Sequence, residues 1–167
     1  MAGGLTADGL RAVAVAFRDL LRSHQEVINR LNVYPVPDGD TGTNLVLTVT
    51  SAWRALLAEP DTAPDRETES EIGRLGRILN CMARGAMLGA RGNSGVIFSQ
   101  IVRGAAEVLG ATERADGAAI AAALRSASDA AYRAVRRPVE GTMLSVIRAL
   151  AEEAEAQVEA APATDEL

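Results

Sequence analysis

The sequence predicts an all-α bundle in a single domain, and three observations predict it. Apolar residues recur three and four positions apart along nearly the whole chain, strand-like alternation is almost absent, and aromatic residues make up only 3% beside abundant alanine. Small residues at the contacts let helices approach closely, so aliphatic and alanine side chains can fill the core. A length of 167 residues suits one such core.

Each helix is read from its stripe. The first, Leu10, Val13, Phe17, Leu20, Leu21, Ile28 and Leu31, reads as one long helix, and the second carries Leu45, Val49, Trp53 and Leu56. Four more follow, at Ile72, Leu75, Ile78, Leu79 and Met82; at Val96, Ile97, Ile101, Val108 and Leu109; at Ile120, Leu124, Ala127, Ala131 and Val135; and at Met143, Val146, Ile147, Leu150 and Ala154. Counted this way the chain has six helices. Residues 58–70 (AEPDTAPDRETES) form a polar, proline-containing connection, and residues 160–167 read as a disordered tail, which leaves residues 1–159 as the domain.

Composition removes whole chemistries. All 17 basic residues are arginine, so there is no Walker-type phosphate lysine, no protein-kinase strand lysine and no Schiff base. His24 and Cys81 are the single residues of their kinds, which excludes Cys/His zinc clusters and an internal disulfide and suits a reducing, cytoplasmic setting. The longest apolar run, residues 118–124, is far too short for a membrane span. Six acids and no base in the last sixteen residues leave 17 arginines against 16 acids in the rest, and no basic stripe suggests nucleic acid as a partner. His24 at the polar edge of the first stripe reads as structural or solvent-facing, Cys81 as a small buried hydrophobe, and Trp53 as core.

The chemistry concentrates in residues 32–44, NVYPVPDGDTGTN, between the first two stripes. Pro35 and Pro37 hold their φ angles, Gly39 and Gly42 permit conformations closed to other residues, and the resulting loop can aim Asp38 and Asp40 at one spot. Adjacent carboxylates repel unless a cation or proton joins them, and oxygen ligands with room for water and phosphate suit Mg²⁺. An EF-hand starting at Asp38 needs glycine and glutamate where Thr43 and Val49 stand, so the calcium loop is excluded. The plain alternative is that both aspartates cap the second helix or form Asx-turns.

Three places set glycine beside polar residues ahead of an apolar stripe: Gly42, Thr43 and Asn44; Gly92, Asn93, Ser94 and Gly95; and Gly141 with Thr142. Free N–H groups and the positive end of a helix dipole make each an anion site in waiting, although Ser, Thr and Asn are also ordinary caps. Together with a Mg²⁺ loop they suggest a phosphate site that manages without lysine, with Arg91 as a further cation.

These segments, with GARGNSGVIFSQ at residues 89–100 and PVEGTML at residues 138–144, closely resemble the nucleotide-binding domain of the DhaL-like dihydroxyacetone kinase family, and most of all its fatty acid kinase branch. The resemblance implies an antiparallel barrel of eight helices holding ATP or ADP with two Mg²⁺ ions at one end. Carried over residue by residue, it makes Asp38 and Asp40 metal ligands with Asn32 as the nearest candidate for a third. It makes Thr41, Gly42, Thr43 and Asn44, and Gly92, Asn93, Ser94 and Gly95, phosphate-contacting, and sets Thr142 and Met143 beside base and ribose.

The function implied is transfer of the γ-phosphoryl group to an acyl carboxylate held by a separate DegV-type lipid carrier. The alternatives are the nucleotide-binding subunit of a dihydroxyacetone kinase and a non-catalytic nucleotide-binding module. With six of eight helices visible, the family's closing helices would lie beyond Leu167, and Val146, Ile147 and Leu150 would lose their cover. Self-association as a homodimer is the expected consequence.

Overall fold

The computed structural model of the chain describes residues 4–33, 37–58 and 69–161, and among them every regular element is a helix. The helices are α1 (Ala7–Ser23), α2 (Gln25–Leu31), α3 (Thr41–Ala58), α4 (Glu71–Leu88), α5 (Gly92–Leu109), α6 (Gly117–Arg133) and α7 (Met143–Ala160). The predicted fold class holds, but the count is seven rather than six. The first stripe breaks at His24, whose backbone (φ −105°, ψ 5°) ends α1 and opens α2, and whose Nδ1 lies 2.9 Å from both the Leu20 carbonyl and the Ser23 hydroxyl. A side chain that engages the local backbone in this way competes with helix continuation. His24 is exposed, as its place on the polar edge suggested.

Helix starts follow ordinary capping rules in four cases. Thr6, Ser70, Asp116 and Thr142 accept from the N–H of Gly9, Gly73, Ala119 and Leu144 to cap α1, α4, α6 and α7. Helices α3 to α7 run alternately up and down, with short connections from α4 onward. Cys81 and Gly85 of α4 lie against Ala55 and Ser51 of α3, and Ala127 and Ala131 near the end of α6 share a cluster with Leu144 and Ile147 at the start of α7. The partly buried Ile97 and Ile101 of α5 pack against that same cluster. Consequently α3, α5 and α7 all begin at one end of the bundle, where α4 and α6 finish.

The core is built from small residues around a few large ones. Leu75, Leu79 and Leu109 join Ala83, Ala106 and Ala123 in one cluster, and Ile78 and Leu56 join Ala7 in another against which Trp53 packs. Trp53, expected in the core, is half-buried at its edge against this cluster, with the Arg18 guanidinium 5.1 Å over its ring. The Cys81 thiol is only half-buried and donates to the Ala55 carbonyl at 3.1 Å, which corrects its reading as a buried hydrophobe. A bidentate fork from Arg125 to Glu155 ties α6 to α7.

Val146 (61% exposed) and Leu150 (52%) lie open, whereas Ile147 is buried against α6. Val146 and Leu150, four residues apart, share one exposed face, whereas Ile147, about 100° round the helix from Val146, faces α6. Ala160, read as the first residue of the tail, is the last of α7; residues 162–167 lie outside the described residues, as does most of the 58–70 connection.

Candidate functional site

The loop ahead of α3 turns at Gly39, whose φ of +68° is open to glycine at little cost, and this sets Asp38 and Asp40 on either side of the bend. Both aspartates are exposed, and no cation pairs with either among the described residues. Asp38 accepts from the Asn32 amide at 2.5 Å, so the three predicted metal ligands share one loop, two of them in contact. Pro35 falls outside the described residues. No group of three or more His, Cys, Asp or Glu is placed to hold a metal among the described residues, so this chain offers two carboxylates and an amide. Mg²⁺ tolerates that supply, since it keeps several waters and takes phosphate oxygens as further ligands.

The capping alternative can be checked on α3. Asp40 stands at the helix's N-cap, since its carbonyl accepts from the Asn44 N–H at 2.8 Å; its carboxylate would ordinarily accept from the N–H of Thr43. That N–H is instead taken by the Asn29 side chain of α2, at 3.1 Å, and the Thr43 hydroxyl accepts from both Asn29 and Gln25 at 3.1 Å. Gly42 makes the close docking of α2 possible, because a Cβ there would lie 2.3 Å from the Gln25 carbonyl oxygen. A neighbouring helix thus does the capping, and the Asp40 carboxylate is left with no hydrogen bond among the described residues. Thr41 and Gly42 remain with N–H groups at the first turn of α3, where no intrahelical acceptor exists.

Beside this turn lies the start of α5. Gly92 adopts φ +58°, and a Cβ on it would lie 2.4 Å from the Asn44 amide nitrogen; a Cβ on Gly95 would lie 2.4 Å from the Thr48 hydroxyl. Thr48 is fully buried, donates to the Asn44 carbonyl at 2.7 Å and accepts from the Arg91 N–H at 3.1 Å, which locks the two helix starts in parallel. Unlike α1, α4, α6 and α7, α5 has no side-chain cap: Arg91 occupies the position, and no acid stands in the first turn. Asn93 is exposed and Ser94 half-buried on that uncapped turn, while the Arg91 guanidinium donates to the Ala90 carbonyl. Two helix starts with unsatisfied N–H groups side by side present an electropositive cradle for an anion, with the exposed Asp38 and Asp40 in the loop just ahead of α3.

The third motif lies farther off. Among the helices α7 packs on α6, so Thr142 and Met143 share the end of the bundle with α3 and α5 but do not touch their first turns. The Thr142 hydroxyl is spent on the Leu144 N–H and the Val139 carbonyl. Around it the Glu140 carboxyl gathers Ser145, both nitrogens of the Arg148 fork and the Tyr132 hydroxyl. The Ser145 hydrogen bond first, and then the Arg148 guanidinium, hold that carboxyl below the usual carboxylate range. Glu140 therefore fixes the α6–α7 turn through side chains rather than through the helix dipole alone.

Sequence reasoning missed Gln25, Asn29 and Thr48. The first two stand four residues apart on one face of a short helix, a visible signal with no visible target, and Thr48 lies within an apolar stripe.

Comparison with known proteins identifies relatives of this chain. An uncharacterised protein of Staphylococcus saprophyticus is 40% identical over 146 residues, 87% of this chain and 24% of that protein. Protein YloV of Bacillus subtilis is 42% identical over 134 residues, 80% of this chain and 22% of that protein. The chain thus spans about a quarter of the length of these relatives. Residues 35–166, which take in Asp38, Asp40 and helices α3 to α7, match the DAK2 domain. With four-fifths of the chain covered by that match, the protein belongs to the DAK2 domain family, a family of kinase nucleotide-binding modules.

Proposed function

We propose that this chain is the Mg²⁺-dependent ATP/ADP-binding domain of a fatty-acid-kinase-like phosphotransferase, passing the γ-phosphoryl group to an acyl carboxylate held by a separate DegV-type carrier. The observation that carries the reading is the displaced cap on α3. Asn29 takes the N–H that Asp40 would otherwise cap, and this leaves a carboxylate free beside the uncapped start of α5.

In this reading Asp38 and Asp40, with Asn32, hold the metal, which when bound would neutralise phosphate charge and orient the transferring group. The N–H groups at the starts of α3 and α5, with Asn44, Asn93 and Ser94, receive the phosphates. Gly92 and Gly95 keep the two turns close enough to act on one ligand. Thr43 supports the site from beneath, because its polar groups are turned to α2. Phosphoryl transfer needs positioning and charge neutralisation more than a protein nucleophile, and none is assigned.

Acyl phosphate should form when the protein receives Mg²⁺-ATP and a lipid-loaded carrier. Turnover with dihydroxyacetone bound to its own subunit would assign the acceptor to the other branch, and nucleotide binding without turnover on either would leave a binding module. Calorimetry with ADP should show affinity falling at least about tenfold when chelator removes Mg²⁺, since the carboxylates then face the phosphates directly. Undiminished affinity in chelator would rule out a bridging metal.

Gly92→Ala tests the cradle. The substitution puts a Cβ into a left-handed conformation and against Asn44, so about a tenfold loss of ADP affinity is expected, with a fall of a few degrees in Tm. Unchanged affinity would mean that the α5 start does not contact the ligand.

A further inference from the structure

The arginines of this protein divide by position. Along the shaft and at the far end most are ion-paired: Arg74 with Asp8, Arg77 with Glu69, Arg103 with Glu107 and Arg125 with Glu155. At the end where α3 and α5 begin, Arg133, Arg136 and Arg137 are exposed and make no hydrogen bond or ion pair among the described residues. They fall within five residues at the close of α6 and in the turn that follows. The nearest acid after them in the chain, Glu140, is already occupied by Arg148, Ser145 and Tyr132. The acids of α7, Glu152, Glu153 and Glu159, lie toward the opposite end. The close of α6 thus carries three exposed guanidiniums, with Asp129 one turn before Arg133 as the acid on the same helix, whereas Glu153 and Glu159 of α7 lie toward the other end.

We propose that Arg133, Arg136 and Arg137 form an electrostatic funnel that steers the anionic nucleotide to the starts of α3 and α5. The inference rests on the nucleotide reading above and adds a rate to it. The site itself contains two carboxylates and no lysine, so an approaching polyphosphate meets local repulsion before metal contacts form. Three unpaired guanidiniums at the same end of the bundle offset that repulsion at the encounter stage, an effect that fades as salt shortens the Debye length below its ordinary value of about 8–10 Å. Because they act at a distance, they change the association rate and leave the bound complex alone.

Stopped-flow fluorescence with a fluorescent ADP analogue and Mg²⁺ reads the two rates separately. With Arg133, Arg136 and Arg137 all replaced by Gln, association should slow about tenfold at low salt and converge with wild type at high salt, while dissociation stays within about twofold. All three side chains are exposed, so folding should survive, and melting curves check it. A control carrying Arg114→Gln, Ala118→Glu and Gln157→Glu changes net charge equally but at the far end, and should associate as wild type does. Equal slowing in the control, a salt-insensitive wild-type rate, or an effect confined to dissociation would each overturn the funnel. Unchanged nucleotide association in the Gln variant would likewise overturn it and hand the patch to an acidic protein partner. Failure of the wild type to bind nucleotide at all is a different result and removes the nucleotide reading itself.

Discussion

Replacing Asp38 or Asp40 with alanine is expected to weaken Mg²⁺-dependent ADP binding by about a hundredfold or more, roughly 2.7 kcal/mol, with almost no change in Tm. The two halves of that expectation have separate causes. Both side chains are exposed; Asp40 makes no hydrogen bond among the described residues and Asp38 makes one, to Asn32, so the fold loses little, within the roughly 0.5 kcal/mol usual for surface positions. The ligand loses much, because a hard divalent cation held by two carboxylates drops half its protein charge with either substitution. Asp38→Asn separates charge from shape, since the amide can still meet Asn32 but brings no negative charge. Asn32→Ala should cost less, about tenfold, whether Asn32 touches the metal or only aims Asp38. Calorimetry with and without chelator, alongside thermal melts, measures all four variants. Binding within twofold of wild type in both alanine variants would return the aspartates to an ordinary loop.

The helices were legible because their apolar period is strong, and the places where the reading failed are those where one residue or one neighbour decides. The stripe from Leu10 to Leu31 resumes in phase at Ile28 after one unfilled turn around His24. What ends α1 is an imidazole that turns back on the Leu20 carbonyl, and an apolar period cannot register that. Of Val146, Ile147 and Leu150, expected to be uncovered, Val146 and Leu150 are exposed, but Ile147 lies about 100° round the helix from Val146 and turns into the α6 interface. The site was legible in its composition of glycines, aspartates and small polar residues, whereas the division of labour among them was not. Asn93 and Ser94 read as phosphate-contacting, with capping as the plain alternative, and Arg91, not either of them, holds the cap position of α5 and makes no side-chain cap. Thr43, read among the phosphate-contacting residues, has its N–H and hydroxyl hydrogen-bonded to Asn29 and Gln25 of α2. Both outcomes depend on which helix lies alongside, and that information is tertiary.

Gly104→Ala should destabilise the protein by about 2 kcal/mol, lowering Tm by roughly 4–8 °C, although the same exchange usually strengthens a helix. A Cβ at Gly104 would lie 2.5 Å from the Ser126 carbonyl oxygen and 2.8 Å from the Ala127 Cα, and both are backbone atoms of α6 that cannot rotate away. Relief requires α5 and α6 to separate, which loosens the packing of Ala106 and Ala123 in the core they share. The helix-propensity gain of alanine over glycine, about 1 kcal/mol, is too small to offset that. Gly117→Ala provides the matched opposite. At the first residue of α6 nothing stands within 4 Å of a new Cβ, so the lower entropy of the unfolded chain acts unopposed and should raise stability by about 0.5 kcal/mol. Thermal and denaturant unfolding of the two variants therefore should move in opposite directions. If Gly104→Ala were neutral or stabilising, α5 and α6 would have to cross at a distance that accommodates a methyl group, and the close approach that small residues permit would not be what holds this bundle together.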